Sequence, residues 1–222
     1  LTACLSFAVT MSHNIEFVYF DLGNVLLAFD PNIACRNLAE RFDIVVDQPW
    51  AAVCESGAQD RFEHGELSGE EFAEQIRQAV SLNADQMPTP EILDAVSDMF
   101  TPINSMAAVL NAVQSRGLGV GLLSNTCHAH WDWICRQPFY LNEFRFDVTI
   151  LSFEIGSMKP DQKIYHAAEQ KSGVSAGSLL FLDDKQENVD AAVARKWNAV
   201  RCHGGPEASL ALQDYQVLES SF

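Results

Sequence analysis

Asp21 closes the apolar run ahead of Leu22-Gly23-Asn24-Val25, and Asp183-Asp184 closes a second such run far along the chain. Ser124-Asn125-Thr126 ends a third, and Lys159 stands in Ser157-Met158-Lys159-Pro160-Asp161, just ahead of a helical pattern. Brought together, these residues would surround one point with three carboxylates, a hydroxyl, an amide and an ammonium. Carboxylates packed that closely repel one another unless a cation lies among them. Mg2+ suits, because it takes hard oxygen ligands and is held by one or two carboxylates together with waters and a substrate phosphate. With the cation and Lys159 neutralising phosphate oxygens, a carboxylate oxygen can attack phosphorus, and water can then hydrolyse the acyl phosphate. Phosphoryl transfer depends mainly on positioning and charge stabilisation, and these residue types supply both.

The elements that must position them alternate. Ile15 to Phe20 is a continuous apolar, β-branched and aromatic run ended by turn residues, the pattern of a buried parallel strand. Leu118 to Leu123, Phe146 to Leu151, Ser178 to Leu182 and Asn198 to Cys202 repeat it. Helical patterns cover Ile103 to Ser115, Asp161 to Lys171 and Gln186 to Lys196, with Gly117 and Gly173 where C-caps belong. Strand–helix–strand alternation predicts an α/β fold, a Rossmann-like doubly wound parallel sheet with right-handed crossovers. In such a sheet ligands bind beyond the carboxyl ends of the strands, where all four polar clusters fall.

Between the first two strands the rhythm breaks. Residues 30–100 carry helical periodicity and no convincing strand, with Phe72, Ile76, Ala79 and Val80 on one helical face after the N-cap signal at Ser68. Asp30-Pro31 and Thr101-Pro102 mark the edges. A small inserted helical cap over 30–100 is expected, on a core formed by 11–29 and 101–222. Residues 1–10 read as a loose N-terminal extension: they have no basic segment ahead of their apolar stretch, and Met11 is a plausible alternative start.

At 222 residues, with 14 basic against 30 acidic side chains and a formal charge of −16, the chain should repel nucleic acid and anionic membrane. A small phosphorylated metabolite is repelled too, so its site must rest on local cations, a metal and backbone N–H groups. Cys4, Cys35, Cys54, Cys127, Cys135 and Cys202 form no CxxC pair, which speaks against zinc and for buried, reduced thiols in the cytoplasm. His128 and His130, with Trp131 and Trp133, read as a packed helix face, and Glu66, Glu70, Glu71 and Glu74 as a solvated acidic one.

The order and separation of FDLGNV, LLSNT, SMKPD and FLDDKQENV resemble the four motifs of the haloacid dehalogenase-like superfamily over about residues 15–205. A helical insert directly after the first motif resembles its C1-capped subfamily. The segment Phe62-Glu63-His64-Gly65-Glu66, and LSNT followed by His130, look most like the sugar-phosphate phosphatases related to α-D-glucose-1-phosphatase. The resemblance implies a phosphoric monoester hydrolase with Asp21 as nucleophile and metal ligand. It implies that Ser124 and the Asn125 backbone hold the phosphate, and that Lys159 bridges nucleophile and phosphoryl oxygens. Asp184 would bind Mg2+ directly, Asp183 directly or through water, and Asn188 would support them.

One departure bears on mechanism. Most phosphatases of that superfamily carry a second Asp two residues after the nucleophile as general acid and base; this chain has Gly23. The resemblance implies a metal contact there through the backbone carbonyl, which Gly keeps. The missing acid could be replaced by Asp30, His130 or a metal-ordered water. Two rival functions follow: a metal-independent 2-haloacid dehalogenase, against which the paired acids count, and a phosphate-ligand binder whose catalysis has lapsed.

Overall fold

In the computed structural model, which describes residues 14–219, the first strand β1 (Phe17–Phe20) is buried throughout. A tight turn leads into the short strand β2 (Leu27–Phe29). Helices α1 (Pro31–Phe42), α2 (Asp47–Trp50), α3 (Ala58–Glu63), α4 (Gly69–Val80) and α5 (Thr89–Ser97) follow. The chain returns through β3 (Phe100–Pro102), α6 (Ser105–Ser115), β4 (Gly119–Ser124) and α7 (His128–Arg136). Then come β5 (Val148–Leu151), α8 (Ser152–Ile155), α9 (Gln162–Ser172) and β6 (Leu179–Asp183). Helix α10 (Gln186–Ala194), β7 (Asn198–Arg201) and α11 (Pro206–Asp214) complete it. The expected loose extension over 1–10, with Cys4, lies outside the described residues.

Five strands form one parallel sheet in the order β5-β4-β1-β6-β7. Side chains alternate across a strand, so both faces must be covered. Val18, Phe20, Leu180 and Leu182 pack into the core on one face, and Phe17, Tyr19, Leu179 and Phe181 into the core on the other. This is the doubly wound α/β fold the sequence predicts. Gly173 takes a left-handed conformation (φ 71°) at the end of α9, as a C-cap glycine should.

The helices α1 to α5 have a third core of their own. Phe62 and Phe72 stack with centroids 4.4 Å apart, beside Ile76, Val80, Ile92 and Val96. Helix α4 begins with a full capping box, Ser68 against Glu71, which satisfies two N-terminal N–H groups. Glu70 and Glu74 are solvent-facing, but they also hold the buried Arg77 guanidinium, which donates to Met87 O at 3.2 Å. Cys127, the N-cap residue of α7, and Ala129 within it join this core and tie the unit to the rest of the fold.

Two features escape sequence periodicity. Strands β2 and β3 pair antiparallel, Phe29 opposite Phe100, at the two roots of the helical unit; three residues are too few to show alternation. The expectation of buried thiols also holds only in part, since Cys35, Cys127 and Cys202 are buried whereas Cys54 and Cys135 are exposed, all five free. No helix among the described residues is long and apolar enough to cross a membrane.

Candidate active site

Strand register builds the site. Phe20 pairs with Leu182 on one side and Leu122 on the other, so the next residue along β1, Asp21, comes level with Asp183. The Asp21 N–H continues the ladder by donating to Leu182 O at 2.9 Å. Lys159 reaches this row from the turn before α9 and is almost wholly buried. Its Nζ donates to Asp183 Oδ2 and lies as close to Asp21 Oδ1, both at 2.7 Å, and it donates to Leu123 O at 2.9 Å. An ammonium has three N–H bonds, and these three contacts use them. Contact with a phosphoryl oxygen therefore requires exchange of one of the three.

Burial works against the Lys159 charge, but Asp183 and Asp21 outweigh it and hold the proton more tightly than in an ordinary lysine. Burial pushes the Asp21 carboxyl up; Lys159 pulls it back, and Asp183 adds to the rise. Both donors to Asp21, Lys159 Nζ and the Leu22 N–H, fall on Oδ1. No donor among the described residues reaches Oδ2, whose lone pairs are left free.

Asp183 is fully buried and fully engaged. Its Oδ1 accepts from the Lys185 N–H at 2.8 Å and from Asn188 Nδ2 at 3.0 Å; its Oδ2 accepts from Lys159 and again from Asn188 at 3.1 Å. Asp184 is more open, with one oxygen bonded by Asn24 Nδ2 at 2.9 Å. Oxygens of Asp21, Asp183 and Asp184 lie within 4.8 Å of one another. Three carboxylates against one buried ammonium form a hard-oxygen donor set with charge to spare, so these residues fit a divalent cation. Asp183 carries four hydrogen bonds, whereas Asp21 and Asp184 each keep an oxygen that no donor among the described residues reaches.

Asn125 clamps the Lys159 backbone, donating from Nδ2 to Lys159 O at 2.8 Å and accepting from its N–H at 2.7 Å. Ser124 is buried, and its hydroxyl donates to Asn125 O at 3.3 Å. Asp21, Gly23, Asn125, Lys159, Asp184 and Asn188 line a single cavity of about 200 Å3. Asp183, bonded to Lys159, and Ser124, bonded to Asn125, are not among its lining residues.

The same cavity is walled by residues to which sequence pattern assigns no role: Phe29, Asp60, Glu63 and Lys185. A Cβ on Gly23 would lie 2.8 Å from Phe29 Cε1, so an aromatic ring occupies the room that a longer side chain would need. Glu63 comes from the C-terminal end of α3. Its Oε1 accepts from Gln59 Nε2 at 2.8 Å, and no donor among the described residues reaches Oε2. Burial raises its pKa, opposed by the Gln59 hydrogen bond and by Lys185, with Asp60 reinforcing the rise and Lys159 opposing it. Its backbone carbonyl lies 2.6 Å from Ser152 Oγ, which also accepts from the Thr126 N–H, so the core holds it in place. Gly65 completes that docking. It is left-handed (φ 76°), and a Cβ there would sit 2.4 Å from Phe153 O.

Two of the candidate replacements for the missing acid are otherwise employed. Asp30 caps α1, accepting from the Asn32 N–H at 2.9 Å, and its pKa is lowered by that bond. His130 is buried, with its pKa pushed down to about 4 by burial. Gln59 lies 3.1 Å from its Nε2 and Ser97 Oγ 3.0 Å from its Nδ1. A neutral ring held that way is structural, matching the packed helix face the sequence suggests. The signal for Glu63 was its place in Phe62-Glu63-His64-Gly65, whose glycine marks a turn that must lie close to something.

Known proteins share this chain's sequence pattern and fold. The family model for haloacid dehalogenase-like hydrolases matches residues 15–194. A D-ribitol-5-phosphate phosphatase of Bacteroides thetaiotaomicron is 25% identical over 180 residues, spanning 79% of this chain and 85% of its own. A sesquiterpene phosphatase of Aspergillus oryzae is 24% identical over 176 residues, 79% of this chain and 83% of its own. The solved structure of an enzyme of the same family from B. thetaiotaomicron superposes with a TM-score of 0.76 at 23% identity, covering 90% of this chain and 98% of that one. A mutant of that enzyme has been solved with magnesium and inorganic phosphate. The chain is a member of the haloacid dehalogenase-like hydrolases.

Proposed function

We propose that this chain is a Mg2+-dependent phosphatase that hydrolyses small phosphomonoesters through an aspartyl-phosphate on Asp21. The observation that carries this reading is the convergence of Asp21, Lys159, Asp184 and Asn125 on one cavity, with Asp183 and Asn188 bracing them from behind. Asp21, Asp184 and the Gly23 carbonyl would hold the cation, Asp183 supporting it directly or through water. When bound, Mg2+ supplies neutralisation of the phosphoryl oxygens. Lys159 fixes the rotamer of Asp21 so that Oδ2 faces phosphorus, and Ser124 and the Asn125 backbone receive the phosphate. Attack forms the Oδ2–P bond as the bond from phosphorus to the leaving-group oxygen breaks. Glu63, protonated, passes its proton to that oxygen; as the carboxylate, it then takes one from the water that hydrolyses the acyl phosphate. The water's oxygen leaves in phosphate, and Asp21 is regenerated.

The helical unit over 30–100 acts as a cap that supplies Glu63 and excludes bulk water. The relatives span polyol and terpenoid leaving groups, so a sugar phosphate, the expectation from sequence, draws support from only one of them. The free thiols fit a cytoplasmic setting. A metal-independent dehalogenase would have no use for the Asp183–Asp184 pair, and a lapsed binder none for an unencumbered nucleophile oxygen.

Phosphate release from a panel of phosphomonoesters, with Mg2+ and with excess chelator, tests the proposal. Release should require the metal and vanish in Asp21→Asn. Release that survives complete chelation, halide release from a 2-halo acid, or full activity of Asp21→Asn overturns it.

A further inference from the structure

We propose that the substrate's leaving group is apolar, an alkyl, prenyl or arylalkyl chain housed in a second chamber inside the helical cap. This rests on the phosphatase reading above and names its substrate class. The phosphoryl cavity and a neighbouring cavity, each of about 200 Å3, share Phe29, Asp60 and Glu63 as a common wall. A group bonded to a phosphoryl at Asp21 therefore has the second chamber as its immediate neighbour. Away from that wall the chamber is mostly apolar, lined by Pro31, Ala34, Val53, Val96 and Met99, with Cys54, Gln59 and His130 among them.

The Gln59 amide nitrogen and the His130 ring are already paired, and the open carboxyl oxygens, those of Asp60 and Glu63 Oε2, lie only at the wall shared with the phosphoryl cavity. Gln59 Nε2 is shared between Glu63 Oε1 and His130 Nε2, and His130 Nδ1 is paired with Ser97 Oγ. A polyol entering here would shed water from several hydroxyls and find few partners in return, which disfavours it. An aliphatic chain gives up nothing of the kind. The Asp60 carboxylate at the shared wall disfavours a second anionic group, so diphosphates and nucleotides fit poorly too. Size sets the length: a dry cavity of about 150 Å3 accepts benzene, so this one takes roughly eight carbons.

The test is a series of n-alkyl monophosphates from ethyl to decyl, run beside ribitol 5-phosphate and glucose 1-phosphate with Mg2+. Each buried methylene contributes about fourfold, so kcat/KM should climb by about that factor per carbon, then level near eight carbons. Octyl phosphate should exceed both sugar phosphates by about 16-fold or more, the equivalent of two methylenes. Ala34→Leu, which fills the chamber wall, should lower the octyl-to-ethyl ratio and move the plateau to shorter chains. Binding of the same esters to Asp21→Asn by calorimetry gives a readout independent of turnover and should follow the same order. A flat series in both assays, or sugar phosphates preferred in both, overturns the apolar chamber and leaves the phosphatase standing. No hydrolysis of any ester, with binding that still climbs with chain length, overturns the phosphatase and upholds the chamber.

Discussion

Replacing Glu63 with Gln isolates the proton-transfer role. The amide keeps an oxygen to accept from Gln59 Nε2 and leaves the backbone carbonyl against Ser152, so the site should keep its shape. What is lost is a positioned acid and base, which typically contributes about 10²–10⁴-fold, or roughly 3–5 kcal/mol of barrier. Stability should move the other way. Burial raises the Glu63 pKa above its unfolded value, so its contribution to stability is fully present below the unfolded pKa and is lost as pH rises through the folded pKa. Gln does not titrate, so the variant should gain on the parent as pH rises through that window. The groups facing Glu63 across the cavity, Asp21, Asp184, Lys159 and Lys185, with Asp60 on its own helix, are unchanged by the substitution. The assay is a rapid-quench measurement of leaving-group release from about pH 5 to 9, a span that brackets a carboxyl raised by burial, paired with thermal melts at each pH. In the parent, phosphoenzyme formation should fall as pH rises through the Glu63 pKa; in the variant that limb should disappear. The loss should be largest for alkyl esters and smallest for p-nitrophenyl phosphate, whose leaving group needs little protonation. An equal loss across leaving groups, or an unchanged alkaline limb, would refute the assignment.

Gly65→Ala should both destabilise the protein and cut activity, because a left-handed Ala costs about 1–2 kcal/mol and its Cβ would strike the Phe153 carbonyl that docks α3. Melting temperature and kcat, measured together, check this; an unperturbed variant would mean the contact yields freely. Gly23→Asp alone should reduce activity, since its Cβ meets the Phe29 ring, whereas Gly23→Asp with Phe29→Ala should recover part of it by making room for an acid beside the nucleophile. Recovery no greater than for Phe29→Ala alone would count against that reasoning. Asn188→Ala removes the two bonds that brace Asp183 and should lower kcat about 10-fold, through loosened Lys159, at the roughly 1.5 kcal/mol typical of a hydrogen bond to a charged group. Phosphate release under saturating substrate measures it.

Much of this protein was legible as sequence. The buried strands announce themselves because a strand covered on both faces is apolar without interruption, and each ends abruptly where the polar residues begin. Parallel order then forces Asp21, Ser124 and Asp183-Asp184 to one edge of the sheet, so that row of polar residues followed from chain order alone. The residues that act from a distance did not. Glu63 lies 42 positions beyond Asp21 in a helix of ordinary composition, and contacts such as those of Gly65 and Ser152, far apart in the chain, bring it to the cavity. Strands β2 and β3 are too short to show a period, yet their pairing sets Phe29 against Gly23 and makes the wall between the two chambers. The motif pairs Asp183 with Asp184, but only the structure shows that three donor groups make four hydrogen bonds to Asp183 while Asp184 receives one from Asn24. Local pattern determined which residues could react, because backbone periodicity is a local property. Which of them have an oxygen free, and what surrounds the leaving group, depends on contacts between segments far apart in the chain, and only the tertiary structure decided those.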